Sequence, residues 1–558
     1  MDVTTYLELK PAARVLFDAA KVRGDLPRYF LPTASGWQPL LWRDHAEHIE
    51  LAAQGLLSLG LQKGERAAIF APNRVEWMEA ALAIQAAGGV MVPVYASNTA
   101  EQLAYVVGHS DARVLFVDSP ALAQRVAQAW PQLRDSVRQV VAFEPALCDV
   151  LAPLGQALLT WADLAQRGKA RRTEFPQAVE QVVHGLALDD TAIMLYTSGT
   201  SGNPKGVPLS HRNIGVNGRD WLICNGPLVE EGDTDLLWLP MSHIFGYGEA
   251  CLGNTLGFVT YLTDPLSVLN KLPEVKPHVF MSVPSVWEKL ATTASRAADP
   301  KAKLLEITGG RMRFCLSGGA GLQRWVKEAF LAAGPLIIEG YGLTEASPTI
   351  TLNRPDAFRF DSVGKPLPSV EVKLADDGEI LARGESVFAG YHKDPEATRG
   401  VLTSDGWLLT GDVGRWTEDG FLQIIDRKKD ILVTSGGKNI PPANIEMAFL
   451  DEPLIAHAVV YGDAKPFLVA GFWANPLVAD HLFAGMSAEN KHKAIVERIQ
   501  QKVDKVNAGV AKHETIKKWH LFGAPLTIEG GQLTPTLKVK RKRVCEEFKA
   551  EFEALYAK

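Results

Sequence analysis

Residues 196–207 read YTSGTSGNPKGV. After Tyr196 the chain carries only Thr, Ser, Gly and Asn up to Asn203, and then Pro204 and Lys205. The apolar run Ala192–Leu195 comes just before, so the segment reads as a loop leaving a buried strand. Such a loop offers backbone N–H groups and hydroxyls to an anion, and its glycines permit close backbone approach. Lys205 adds a compact charge that can reach phosphoryl oxygens. A solvated surface turn is the plainer reading of a lone Gly/Ser run, but it does not account for this order ending in a lysine. GxxxxGK[ST] fits no register here, so this is not a Walker A loop. Nor is there a dinucleotide fingerprint: Gly319 and Gly321 form GxG, but position 324 is Arg.

Other segments carry chemistry further along. They are PMSHIFG (240–246), LSGGA (316–320), EGYGLTEASP (339–348), GWLLTGDVGRW (406–416), DRKKD (426–430), SGGKNIPPANIE (435–446) and GQLTPTLKVKRKR (531–543). Singly, each has an ordinary structural reading. Glu345 suits the first turn of a helix, facing its dipole. Asp412 suits a turn, and Arg427 a solvated linker. His243 suits an apolar core, and Gly318-Gly319-Ala320 a tight strand-to-helix turn. KVKRKR (538–543) alone reads as a nucleic-acid patch or a solvated face.

Taken together, the motifs resemble those of the acyl-adenylate-forming ligases: acyl-CoA synthetases, firefly luciferase and nonribosomal-peptide adenylation domains. The loop matches except that Ser201 stands where the family usually has Thr, and the other motifs follow in the family's order. The resemblance spans roughly residues 30–545. GWLLTGDVGRWTEDGFLQIIDRKKDILVTSGGKNI is most similar to the long-chain acyl-CoA synthetases.

The resemblance implies a reaction in two halves. A carboxylate attacks the α-phosphate of ATP, giving acyl-AMP and pyrophosphate; a thiol, usually coenzyme A, then displaces AMP. Catalysis of this kind is mainly positioning and charge neutralisation. Thr197, Ser198, Gly199, Thr200, Ser201, Gly202 and Lys205 would cradle the β- and γ-phosphates. Glu345 would bind Mg²⁺, with Thr200 as a second ligand, since magnesium takes one or two protein oxygens plus phosphate oxygens and water. Thr344 would bond the α-phosphate. Gly318, Gly319 and Ala320 would form the adenine edge, Tyr341 would stack on the ring, and Gly340 and Gly342 flank it. Asp412 would accept from both ribose hydroxyls, with Arg427 beside it. His243 would position the acyl carboxylate rather than act as a base, because that carboxylate is already ionised near neutral pH. Lys538 would neutralise the adenylation transition state, with Lys540 the alternative by register. Lys429 would be the pivot on which a small domain turns between half-reactions. Gly436 and Gly437 would admit the coenzyme A arm.

The elements that must hold these residues are legible as alternating types. Short β-rich runs such as AAIFAPN (67–73), GVMVPVYA (89–96), RFCLSGGA (313–320) and LIIEGYG (336–342) alternate with helical stretches such as VEWMEAALAIQAAG (75–88). That order predicts mainly parallel sheets with covered faces and functional loops at strand carboxyl ends. The resemblance implies a large α/β N-terminal domain with a small barrel-like region, residues 1–426, and a mobile α+β domain, 427–558, joined at 426–430. The run Asp426–Asp430 reads as a charged surface crossing. Small residues after His243, among them Gly246, Gly248 and Gly253, would leave room for an acyl chain, with Tyr247 near a tunnel gate.

Composition bounds the alternatives. The chain has 558 residues, 47% hydrophobic and 22% charged, with net charge −6. That is a multi-domain globular chain, and its acidity opposes a nucleic-acid partner. Five scattered cysteines without CxxC argue against disulfides or a zinc site and fit a reducing compartment. The N-terminus places Asp2, Glu8 and Lys10 where a secretory signal needs an apolar core, and no charge-free run is long enough for a membrane span. A cytoplasmic fatty acid–CoA ligase is the expectation, with peripheral membrane contact and a homodimer left open. A fatty acyl-AMP ligase loading a carrier protein and an aryl acid–CoA ligase stay as alternatives. A peptide-synthetase-style adenylation domain or a luciferase-like oxygenase has less support. GxSxG and HExxH are absent, so hydrolase and zincin readings lack motifs.

Overall fold

The computed structural model describes residues 2–197, 203–435, 438–527, 530–533 and 539–557, without the side chain of Asn439. The chain divides into two compact units. The first comprises residues 1–373, 381–409 and 417–422; the second comprises 374–380, 410–416 and 423–558.

Two sheets build the first unit. A seven-stranded sheet runs in the order 158–160, 139–142, 112–117, 66–70, 90–94, 191–197, 205–210. Its pairings are parallel except the last, where the strand Thr191–Thr197 folds back antiparallel on Lys205–Ser210, Thr197 opposite Lys205. A nine-stranded sheet runs 365–366, 349–352, 337–342, 314–317, 279–282, 234–237, 259–262, 27–33, 36–41. Its centre is parallel and its two ends antiparallel. The apolar runs that lack alternation become these central strands because both faces are covered. Ala67, Ala68, Ile69 and Phe70 are all fully buried, as are Phe314 and Cys315. The helix Val75–Ala86 is buried at every position but Glu76, and it carries Glu79 and Gln85 into the interior among its apolar residues.

In the second unit, the strands Ile455–Tyr461, Leu468–Ala474 and Ile516–Phe522 form one sheet with an antiparallel and a parallel pairing. Alternation sends Leu468, Ala470 and Phe472 to a core with Ile495, Ile499 and Val503 of the helix Ala488–Gly509. Val469 and Trp473 point the other way, to Val544 and Phe552. No helix among the described residues is long and apolar enough to cross a membrane.

Four further strands (370–374, 379–384, 408–416, 422–427) form a sheet of their own, whose residues are divided between the two units. The charged crossing at 426–430 differs from expectation in one residue. Asp426 is buried, and its carboxylate accepts the N–H of Arg427 at 2.7 Å and of Ala443 at 3.0 Å. Burial pushes its pKa up against those two donors. Arg427, Lys428 and Lys429 are exposed.

Candidate active site

The strands Thr191–Thr197 and Lys205–Ser210, which the candidate loop joins in sequence, pair as an antiparallel hairpin. Thr197 and Lys205 are half-buried at its mouth. Ser198, Gly199, Thr200, Ser201 and Gly202 lie outside the described residues, as do Gly436, Gly437 and Lys538. The second arm ends at Ser210, whose Oγ accepts from Asn213 N–H at 3.1 Å while Asn213 Oδ1 accepts from Ser210 N–H at 2.8 Å. This reciprocal cap starts the helix His211–Asn225.

That helix reaches the next motif. Asn217 Nδ2 donates to Thr349 O at 2.8 Å, steadying the chain beside the single turn Thr344–Ala346. Glu345 in this turn is 8% exposed. Its Oε1 accepts from Tyr391 Oη at 2.8 Å, and its backbone oxygen accepts from Phe388 N–H at 2.8 Å. Lys205 Nζ stands 4.9 Å from the centroid of the Tyr391 ring. Burial and the neighbouring Glu345 charge raise the Tyr391 pKa, so its hydroxyl stays a donor. The structure thus brings Lys205 and Glu345 together through a residue that no motif had marked. Its only sequence signal is the Gly-Tyr step in FAGYHKDPEAT (388–398) before a capped helix.

Gly318, Gly319 and Ala320 follow the strand Phe314–Ser317, and Gly340, Tyr341 and Gly342 end the neighbouring parallel strand, with Ser317 opposite Glu339. Glu339 is buried. Its carboxylate accepts Leu322 N–H at 2.8 Å and Lys327 Nζ at 2.6 Å, closing the loop that Gly318 opens. A buried ion pair inside the loop's own support had no sequence signal beyond charge. Gly342 is required by contact: a Cβ there would stand 1.8 Å from Pro348 O.

His243 caps the helix Ile244–Leu256, its Nδ1 accepting Phe245 N–H at 3.2 Å. Asn73, from the loop after Arg66–Phe70, holds the preceding segment by bonds to Leu239 O (2.8 Å) and from Met241 N–H (2.9 Å). The Phe245 ring lies against Gly318, with 3.1 Å to a Cβ built there. The glycines after His243 divide. Gly248 has nothing within 4 Å of a Cβ, but a Cβ on Gly246 would meet Pro240 O at 2.4 Å, and one on Gly253 would meet the Arg28 guanidinium at 2.7 Å. Gly246 and Gly253 therefore serve close packing, a correction to the expectation that they leave space. Tyr247 is fully buried, and its oxygen accepts from Gln85 Nε2 at 2.9 Å.

The second unit holds its own cluster. Asp412, 5% exposed, pairs with Arg427 at 2.8 Å. Lys428 beside it bonds Asp377 at 2.6 Å and Glu379 at 2.7 Å, and those two carboxylates raise its pKa. Glu379 also accepts Gly411 N–H at 3.0 Å. In the basic run, Lys540 precedes the helix Arg541–Glu547, and its N–H donates to Gln532 O at 2.8 Å. Arg541 is paired with Glu446 and donates to Val460 O at 3.0 Å. It is a structural pin, not part of a solvated basic face.

The family model "AMP-binding enzyme" matches residues 16–392, and "AMP-binding enzyme C-terminal domain" matches 429–558. The chain belongs to the AMP-binding enzyme family. Within the family it is similar to the long-chain-fatty-acid–CoA ligase FadD15 of Mycobacterium bovis, 34% identical over 579 aligned residues that cover 94% of this chain and 93% of that protein. It is similar also to the long-chain-fatty-acid–CoA ligase ACSBG2 of Xenopus laevis, at 29% identity, 93% of this chain and 80% of that protein. Among solved structures, the adenylation domain of a carboxylate reductase from Mycobacterium chelonae superposes with a TM-score of 0.83 at 21% identity, covering 98% of this chain and 91% of that one, which shows a shared fold.

Proposed function

We propose that the chain converts a medium- or long-chain fatty acid to acyl-AMP at the expense of ATP and passes the acyl group to coenzyme A. The observation that carries this reading is Lys205 and Glu345 gathered on Tyr391 at the end of the phosphate-loop hairpin, in a chain matched nearly end to end by long-chain-fatty-acid–CoA ligases.

Magnesium fits the donor set. No group of three or more metal-ligating side chains occurs among the described residues, and Glu345 is one buried carboxylate with one oxygen tied, as suits an ion mostly ligated by phosphate and water. When bound, the ion neutralises charge on the phosphates. Glu345 would hold it, with Thr200 as the loop's contribution. Lys205 and the loop Thr197–Gly202 hold the β- and γ-phosphates, and Thr344 the α-phosphate. Gly318, Gly319, Ala320 and Gly340–Gly342 receive the base, Asp412 and Arg427 the ribose, and His243 orients the carboxylate that attacks. Lys538 stabilises charge as pyrophosphate leaves. We place the domain boundary at 426–430, with Lys429 as pivot, and Gly436 and Gly437 at the thiol's approach. A cytoplasmic location suits a chain of this class, and acidic lipid surfaces, a second copy and an acyl carrier protein are the partners to assay.

The test is pyrophosphate release from ATP and Mg²⁺ across acids from acetate to oleate plus benzoate. Release that peaks at a medium or long chain supports the reading. Release confined to benzoate replaces it with an aryl acid ligase, and none with any acid overturns it.

A further inference from the structure

The segment Phe388–His392 touches both halves of the proposed phosphate–metal site. Tyr391 Oη donates to Glu345 Oε1 at 2.8 Å, and the same ring lies 4.9 Å from Lys205 Nζ. The backbone repeats the pattern. Phe388 N–H donates to Glu345 O at 2.8 Å, and His392 N–H donates to Gly206 O at 2.8 Å, the residue next to Lys205. The segment is itself fixed. Tyr391 N–H donates to Thr398 Oγ1 at 2.9 Å, Thr398 Oγ1 donates to Asp394 O at 2.7 Å, and the Phe388 ring meets Tyr391 edge-on at 4.9 Å. Asn213 Nδ2, near the start of the supporting helix, donates to Glu385 O at 2.7 Å and Val387 O at 3.2 Å.

A carboxylate and an ammonium that must both face one triphosphate attract each other, and without an intermediary they close into a pair. Tyr391 touches both with two different handles. Its hydroxyl fixes one oxygen of Glu345, and its ring face attracts Lys205. We propose that Tyr391 is a positioning residue that holds Glu345 and Lys205 apart at the spacing a magnesium–triphosphate group requires, and that Phe388–His392 is the strap locking the loop hairpin to the Glu345 turn. The proposal rests on the functional reading above.

Two variants separate the handles. Tyr391→Phe keeps the ring face and deletes the hydrogen bond to a charged group; Tyr391→Leu deletes both. Calorimetric titration of the whole protein with ATP, with and without Mg²⁺, gives a readout independent of turnover. Tyr391→Phe should weaken ATP binding about tenfold with Mg²⁺ and about twofold or less without it. Tyr391→Leu should weaken binding in both conditions. In steady state, Tyr391→Phe should raise the Mg²⁺ concentration for half-maximal pyrophosphate release by a similar factor, with kcat at saturating Mg²⁺ changed less. The melting temperature of each nucleotide-free variant checks folding, and should Tyr391→Leu fail to fold, Tyr391→Phe decides. Wild-type ATP affinity and Mg²⁺ dependence in Tyr391→Phe overturns the proposal alone. A wild-type protein that binds no ATP removes the functional reading and this proposal with it.

Discussion

At the scale of single residues, Glu345 is the most exposed to test. Glu345→Gln keeps shape and the acceptor for Tyr391 but removes the charge. Pyrophosphate release should fall about 100-fold or more, the order seen when one preorganised electrostatic group is lost, while the melting temperature holds. His211 carries a different prediction. It is 4% exposed, and burial pulls its pKa down from 6.5 to about 4. The unfolded chain therefore binds a proton that the folded chain refuses between those values. The stability this neutral His211 retains at pH 7 is lost as pH falls from about 6.5 to about 4, to the extent of about 3 kcal/mol. Melting temperatures of wild type and His211→Asn at pH 7 and pH 4.5 check it. The variant should show the smaller drop, and equal drops contradict the assignment. The motif residues enter as candidates because their spacing and type repeat a known chemistry. Tyr391 and Asn217 carry no such mark, because each acts through a partner distant in sequence: 46 positions for Tyr391 to Glu345 and 132 for Asn217 to Thr349. Glu339 stands at the head of a quoted motif, but its ion pair with Lys327 had no signal there.

Elements were readable where periodicity has one cause. The strands at 66–70, 90–94 and 314–317 and the helix at 75–86 stand where apolar runs and turn residues put them, since burial on both faces erases alternation. What sequence does not reveal is which neighbour a small residue faces. Gly246 and Gly248 are two apart on one helix, yet one abuts a carbonyl and the other open space. Gly246→Ala should cost about 2 kcal/mol, whereas Gly248→Ala should be neutral or stabilise by up to about 1 kcal/mol, as replacing a helical glycine does. Denaturant midpoints of the two variants read this directly, and equal effects would contradict the geometry. Asp426 makes the same point for charge: it reads as part of an exposed run and proves to be a buried acceptor of two backbone N–H groups.

For the whole molecule, the resemblance implies a small domain that turns between two half-reactions about Lys429. The chain folds into two compact units with separate cores. The proposed pivot predicts a split phenotype. Lys429→Pro fixes φ and removes an N–H at the pivot, so acyl-AMP and pyrophosphate should still form while thioester output falls at least about tenfold. Equal losses in both halves would count against a pivot there. The most direct test of the central claim is the product formed from oleate, ATP, Mg²⁺ and coenzyme A by the purified wild-type protein, identified by mass spectrometry. The account predicts oleoyl-CoA in amounts matching AMP and pyrophosphate. Acyl-AMP accumulating with no thioester would contradict coenzyme A as acceptor, and no product from any fatty acid would contradict the account itself.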